Sequence, residues 1–350
     1  MNSDKKTVLI TGAAGFIGYH LVQYLEANIP SWQIIALDNL NSYYDVELKK
    51  SRISQFSDKI VFIKGSIADR SLIRTLLSEY NPQIIVNLAA QAGVRYSIDC
   101  PETYIESNVV GFFNLLDEIR LHNYSEKPHF IYASSSSVYG ENPTEEYSEN
   151  DVTDGPVSLY AASKKCDEVI AYAYSKLYGI PSTGLRFFTV YGPYGRPDMA
   201  YYKFTDMLKD GKKIQLYNYG KCYRDFTYVE DIVQGIVKIM LGTTTFNSNV
   251  MNFSQVPSRV YNIGNNTPVS LIDFIKILTE ELIRAKILPE NFKIDEHIEL
   301  VEMQPGDVPY TCADVSALAR DYGYSPQTDL RTGLRMFAEW YASYYKLPNH

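Results

Sequence analysis

Cysteine is scarce: Cys100, Cys166, Cys222 and Cys312 are the only four in 350 residues, with no Cys-x-x-Cys spacing and no histidine cluster beside them. Neither a disulfide framework nor a zinc site is expected from so few and so scattered thiols. Basic runs are also missing. The longest groupings are pairs such as Lys49-Lys50 and Lys212-Lys213, and the net charge is −8, so no nucleic-acid partner is expected and an anionic ligand must be met by a few placed cations. Long apolar runs are absent too. The N-terminal MNSDKKTVLITG is interrupted by Thr and Gly and lacks a cleavage-site pattern, so neither a signal peptide nor a membrane span is expected. Free thiols without an export signal point to the cytoplasm. No internal repeat stands out.

What is present suffices for a large core: 45% of residues are hydrophobic, and the length allows two domains. The 30 tyrosines have two readings, as walls that stack on flat rings and as amphipathic filler. Runs rich in Val and Ile recur at TVLIT, QIIALD, IVFIK, IIVNLA, HFIYAS and TGLRFF, separated by stretches of helical period placed near 15–27, 71–80, 106–122 and 159–178. That alternation predicts an α/β fold, a doubly wound, Rossmann-like parallel sheet with helices on both faces. After Phe188 the texture changes to the Gly- and Pro-punctuated TVYGPYGRPD, where a smaller, mixed α/β C-terminal lobe begins. We expect residues 1–188 in the first domain, with 226–264 returning to it through the strand-like VYNIG, and 189–225 with 265–350 in the second. SLIDFIKILTEELIRA reads as an amphipathic helix capped by Ser270, and the polar stretch 242–258 reads as an exposed loop.

The first strand leads into Gly12-x-x-Gly15-x-x-Gly18 and an apolar helix. Glycines there let the backbone turn sharply and approach a pyrophosphate, which sits on the N–H groups at the positive end of the helix. The second strand ends in Asp38, whose carboxylate would accept hydrogen bonds from an adenosine ribose and repel a 2′-phosphate, favouring NAD over NADP. A strand-end aspartate that caps the next helix is the competing reading of Asp38.

Downstream, ASSSSVYG (133–140) closes an apolar strand and SLYAASKK carries Tyr160-x-x-x-Lys164. Four residues apart on a helix means one face, and an ammonium beside a phenol favours the phenolate. Tyr160 is therefore a candidate general base, although the same spacing also occurs between unrelated residues of an amphipathic helix.

The glycine triplet, Asp38, the serine-rich strand end and Tyr160-x-x-x-Lys164 together resemble, in order and spacing, the extended short-chain dehydrogenase/reductase family. LDNLNSYYD, LAAQAGVRYS, VSLYAASKK, LRFFTVYGPYGRPDMA, YGKCYRDFTYVEDIV and QPGDVP extend the resemblance over essentially the whole chain, on the branch that epimerises UDP-glucuronate at C4. It implies an NAD-dependent enzyme in which Tyr160 takes the proton of the sugar 4-hydroxyl and a ketone turns over in the site. Lys164 would hold the nicotinamide ribose, and Ser135 would bond the reacting oxygen and relay its proton. Ser136, Ser137 and Thr189 would line the sugar pocket. Further NAD contacts are implied at Phe16, Ile17, Asn39, Ser66, Ile67, Leu88, Ala89, Ala90, Gln91, Asn108 and Phe187. Arg95, Gln215, Tyr217, Arg224 and Asp307 are implied for the uridine diphosphate, with Tyr217 near the base and Asp307 at its ribose. No metal is implied. A homodimer is, through the helices near 106–122 and 159–178.

Sister enzymes narrow the chemistry. In the resemblance, 4,6-dehydratases carry Asp-Glu just after the catalytic hydroxyl residue and decarboxylases carry Ser-Glu, where this chain has Ser136-Ser137. Oxidising C4 of a uronic acid makes a β-keto acid, so an epimerase must restrain the carboxylate. Arg196 is the candidate, because a guanidinium binds carboxylate through two parallel hydrogen bonds; a simple ion pair with Asp198 is the other reading. Two positions depart from the pattern: Gln304 stands where UDP-hexose epimerases have arginine, and Ser66 where relatives have aspartate. A UDP-hexose 4-epimerase, a UDP-glucuronate decarboxylase and a non-catalytic NAD-binding regulator remain open at this point.

Overall fold

A computed structural model describes residues 6–142, 144–242, 256–303 and 308–347. Strands β1 (Thr7–Thr11), β2 (Gln33–Asp38), β3 (Val61–Lys64), β4 (Ile84–Asn87), β5 (His129–Ser135) and β6 (Ser182–Phe187) run parallel in the order 3-2-1-4-5-6. Burial on both faces explains their nearly continuous apolar texture. Along β1, Val8 and Ile10 enter the core shared with the helix Phe16–Asn28, whereas Leu9 enters the core shared with Phe112 and Leu116 on the opposite face. Alternation of side chains across a strand requires this split.

The smaller lobe starts one residue after β6. Strands β7 (Thr189–Tyr191) and β9 (Tyr223–Tyr228) pair in parallel, while β8 (Ile214–Leu216) lies apart from them. The helix Val229–Leu241 then packs against the helix Phe16–Asn28, and β10 (Ser258–Ile263) joins β6 as the seventh strand of the large sheet. Residues 226–228 stay in β9, so the return to the larger lobe begins with that helix. Strands β11 (Pro268–Ser270) and β12 (Ile298–Leu300) complete the small sheets on β9 and β8. Ser270 caps the helix Leu271–Arg284, its Oγ accepting from Asp273 N at 3.1 Å.

The predicted helix near 106–122 instead starts at Pro101, a residue suited to a first helical turn, and runs to Leu121 through a π-helical segment at Ile105–Val110. Of the stretch 242–258, expected as a loop, residues 243–255 lie outside the described residues, as do Gln304 and Asp307, and Ser258 already opens β10. Many tyrosines are core filler: Tyr191, Tyr201, Tyr202, Tyr228 and Tyr341 are buried in the small lobe. Among the described residues no helix is long and apolar enough to cross a membrane, and no cluster of ligating side chains could hold a metal.

Candidate active site

Strand order reverses between β1 and β4, and the loops leaving the carboxyl ends of the parallel strands open a crevice there. A cavity of about 1120 Å³ fills it. Its volume exceeds the range of about 300–1,000 Å³ usual for one ligand, so there is room for two to lie together.

One end is built by the glycine turn. Gly12 has φ +70°, and a Cβ there would lie 2.7 Å from Ala89 N. A Cβ on Gly18 would lie 2.1 Å from the Gly12 carbonyl oxygen, because the helix is pressed onto the turn. Both atoms are backbone and cannot swing aside. Gly18→Ala is therefore expected to cost about 1–3 kcal/mol and to push the helix N-terminus off the turn. Melting temperature and the NAD retained on purification should fall together.

Asp38 is buried at the end of β2, its Oδ2 accepting from Ala14 N (3.0 Å) and its Oδ1 from Leu40 N (2.8 Å). The carboxylate thus braces the glycine turn while still facing the cavity. Phe16, Ile17, Asn39, Ser66, Ile67, Leu88, Ala89, Ala90, Gln91 and Phe187 line the same end. This lining fits a dinucleotide: backbone without Cβ where a pyrophosphate would approach, and a carboxylate where a ribose would lie. Asn108 is the exception. It lies behind the wall on the π-helical segment, with Oδ1 accepting from Gln91 N at 2.8 Å and Nδ2 donating to Ser163 Oγ at 2.9 Å. It ties the loop at Gln91 to the helix Leu159–Tyr178 and is not among the residues that line the cavity.

The chemical residues converge in the middle. Ser135, Ser136, Ser137, Tyr160 and Lys164 line the cavity. Ser134 lines it too, but its Oγ is committed to a buried partner: it donates to Glu168 Oε1 (2.6 Å), and Glu168 receives Arg186 on both oxygens (2.8 and 2.9 Å). That buried network ties β5, β6 and the helix Leu159–Tyr178 together. The next strand residue, Ser135, accepts from Ser137 N at 3.1 Å and opens the short turn Ser136–Tyr139. Tyr160 occupies the first turn of its helix, capped by Ser158 Oγ, which accepts from Ala161 N at 3.1 Å; that is where a helix favours negative charge.

Lys164 is almost fully buried and donates to Ala133 O (2.9 Å) and Asp167 Oδ2 (3.1 Å). Burial pushes the Asp167 carboxyl up to about 7, against the pull of Lys164. An unfolded aspartate gives up its proton near about pH 3.9, so between about pH 4 and pH 7 the native state holds the extra proton. Stability should therefore fall as pH rises through that window and level off above it. Melting curves across the window should show that slope in the wild type and its loss in Asp167→Asn.

At the far end, Thr189, Arg196, Gln215, Tyr217 and Arg224 line the cavity. Arg95 stacks on the Tyr217 ring, 4.9 Å from its centre, so one ring face expected to meet a base carries a guanidinium. Arg196 forks onto Asp198, Nε to Oδ1 at 3.1 Å and Nη2 to Oδ2 at 2.8 Å. Burial disfavours the Arg196 charge, but the Asp198 carboxylate outweighs it and holds the guanidinium above its ordinary pKa. The Arg196–Asp198 ion pair, one of the two readings of Arg196 in the sequence, is therefore present, whereas Tyr43, Tyr44 and Lys49, also on the wall, had no role in the sequence reading. The paired tyrosines Tyr43-Tyr44, in the loop that follows Asp38, were the available signal.

A sequence model of the family described as GDP-mannose 4,6 dehydratase matches residues 9–337. The chain belongs to the extended short-chain dehydrogenase/reductase family. Protein CapI of Staphylococcus aureus is 44% identical over 346 residues, covering 97% of this chain and 99% of its own. UDP-glucuronate 4-epimerase 2 of Arabidopsis thaliana is 44% identical over 345 residues, 97% of this chain and 76% of its own. The crystal structure of UDP-glucuronic acid 4-epimerase from Bacillus cereus, in complex with UDP-glucuronic acid and NAD, superposes with a TM-score of 0.83 at 29% identity, covering 97% of this chain and all of that one (100%).

Proposed function

We propose that this chain interconverts UDP-glucuronate and UDP-galacturonate by epimerisation at C4, with NAD as resident cofactor. The observation that carries this reading is that Ser135, Tyr160, Lys164 and Arg196 line one cavity. A base and a fixed guanidinium side by side suit a sugar whose hydroxyl reacts and whose carboxylate must be held. NAD, when bound, accepts the C4 hydride and returns it.

In this reading Tyr160 removes the 4-hydroxyl proton and gives it back, Ser135 hydrogen-bonds the reacting oxygen, and Lys164 holds the nicotinamide ribose. The glycine turn and Asp38 hold the dinucleotide, with the loop residues from Asn39 to Phe187 packed around it. Residues 1–188 with 229–264 form the NAD lobe, and 189–228 with 265–350 the nucleotide-sugar lobe. Ser136 and Ser137 line the sugar pocket, Thr189 and Arg196 take the carboxylate end, and Arg95, Gln215, Tyr217, Arg224 and Asp307 take the uridine diphosphate. Among the described residues, the acidic ones lining the cavity are Asp38, Asp99 and Asp198; Asp38 is bound to the glycine turn and Asp198 to Arg196. No carboxylate adjoins Ser135 in sequence to remove a C5 proton, which favours epimerisation over the dehydration in the family description.

Incubation of the NAD-loaded protein with UDP-glucuronate should yield UDP-galacturonate until the two equilibrate. Release of carbon dioxide with a UDP-pentose, or turnover confined to UDP-glucose, would replace this reading with the decarboxylase or the hexose enzyme.

The protein works in the cytoplasm, consistent with its free thiols, and as a homodimer. Supporting the dimer, Val110, Phe113 and Leu121 on one helix and Val169, Tyr172 and Leu177 on another are exposed, and the two helices pack side by side. Light scattering should give twice the chain mass, and Val169→Glu should shift it to the monomer.

A further inference from the structure

Arg196 already carries a carboxylate. Its Nε and Nη2 grip both oxygens of Asp198 in the fork geometry that a uronic acid would make. The pair is not sealed in the core: the Arg196 and Asp198 side chains are 24% and 28% exposed, and both residues line the cavity. Asp198 is restrained from across the cleft as well. Tyr43, from the loop after β2, donates its hydroxyl to Asp198 Oδ2 at 3.2 Å, and Gly93 leaves room for that hydroxyl, since a Cβ there would lie 2.4 Å from it.

Two carboxylates on one guanidinium repel each other in a partly desolvated site. We infer that Asp198 is an internal competitor for the sugar carboxylate, exchanged for it on Arg196 when a UDP-uronic acid binds and thereby setting the relative affinity for uronic and neutral UDP-sugars. The inference rests on the proposed role of Arg196. Asp198 keeps the cation paired and aimed while the subsite is empty, and Tyr43 remains as a donor to Asp198 once Arg196 turns to the substrate. A neutral sugar, having no charge to offer, cannot make the exchange.

The test is calorimetric titration of the NAD-loaded protein with UDP-glucuronate and, separately, UDP-glucose. Asp198→Asn keeps shape and removes the charge, and should tighten UDP-glucuronate about tenfold more than UDP-glucose, the gain of one freed charge-assisted fork. Asp198→Ser is the second variant, should the first fail to fold, and should move the ratio in the same direction. An unchanged ratio, or a loss of uronate affinity, overturns the inference and leaves Asp198 as a residue that merely orients Arg196. The underlying assignment has its own control: Arg196→Ala must weaken UDP-glucuronate more than UDP-glucose, and equal effects would remove Arg196 from the carboxylate site whatever Asp198 does.

Discussion

Tyr160→Phe is expected to lower kcat for UDP-glucuronate by about a hundred- to ten-thousandfold, the usual worth of a positioned acid or base, while KM and bound NAD change little. The ring is held independently of its hydroxyl. Its helix is capped by Ser158, its carbonyl accepts from Ser163 Oγ at 2.8 Å, and it meets the Tyr104 ring edge-on with centres 6.1 Å apart. Phenylalanine therefore keeps the wall of the cavity and removes only the group that exchanges a proton with the 4-hydroxyl. Steady-state kinetics beside a titration of substrate binding separate the two effects. Unaltered kcat would transfer the role of base to another residue. Lys164 acts differently: anchored to Ala133 O and Asp167, its ammonium occupies one place in the site, so its loss should reduce NAD retention as well as rate.

The sheet is legible in the sequence because parallel strands buried on both faces leave unbroken apolar runs. QIIALD coincides with β2, Gln33–Asp38, and HFIYASS with β5. The helix Leu159–Tyr178 is equally legible, since Ser158 stands at its cap and Gly179, with φ +67°, at its end. The small lobe is not. Strands β7, β8, β11 and β12 have three residues each, too few for a period of two to register, and the lobe's tyrosines read as polar or apolar with equal ease. At the site, local turns such as the glycine triplet announce themselves because one stretch of backbone builds them. The Tyr43–Asp198 hydrogen bond spans 155 positions, and no local pattern encodes it. The Asn108–Gln91 bond is hidden for a related reason: the position of Asn108 along the helix is visible in the sequence, but its side chain's meeting with the loop 17 positions away is not.

Arg196→Ala should have the other large effect, in two parts. Truncating one member of a hydrogen-bonded charge pair costs about 2–5 kcal/mol, so affinity for UDP-glucuronate should fall by roughly thirtyfold or more, with UDP-glucose affected much less. The second part concerns the product. Once C4 is a ketone, the C6 carboxylate is β to it, and the C5–C6 bond breaks readily when it stands perpendicular to the carbonyl plane; its electron pair enters the C4 carbonyl as an enolate while carbon dioxide departs. A guanidinium that grips both carboxylate oxygens holds the carboxylate in place, and with it the tilt of the C5–C6 bond against the carbonyl plane. The Arg196 fork now on Asp198 is well formed for such a grip. With alanine there, the C5–C6 bond is free to reach that alignment, and the remaining turnover should leak carbon dioxide and, once C5 takes a proton and the hydride returns to C4, a UDP-pentose. Counting carbon dioxide from C6-labelled UDP-glucuronate against epimer formed gives the partition directly: near zero in the wild type, substantial in the variant. An alanine variant that bound uronate weakly yet released none would restrict Arg196 to affinity and require another group, such as Thr189 on the same cavity wall, to hold the carboxylate out of alignment.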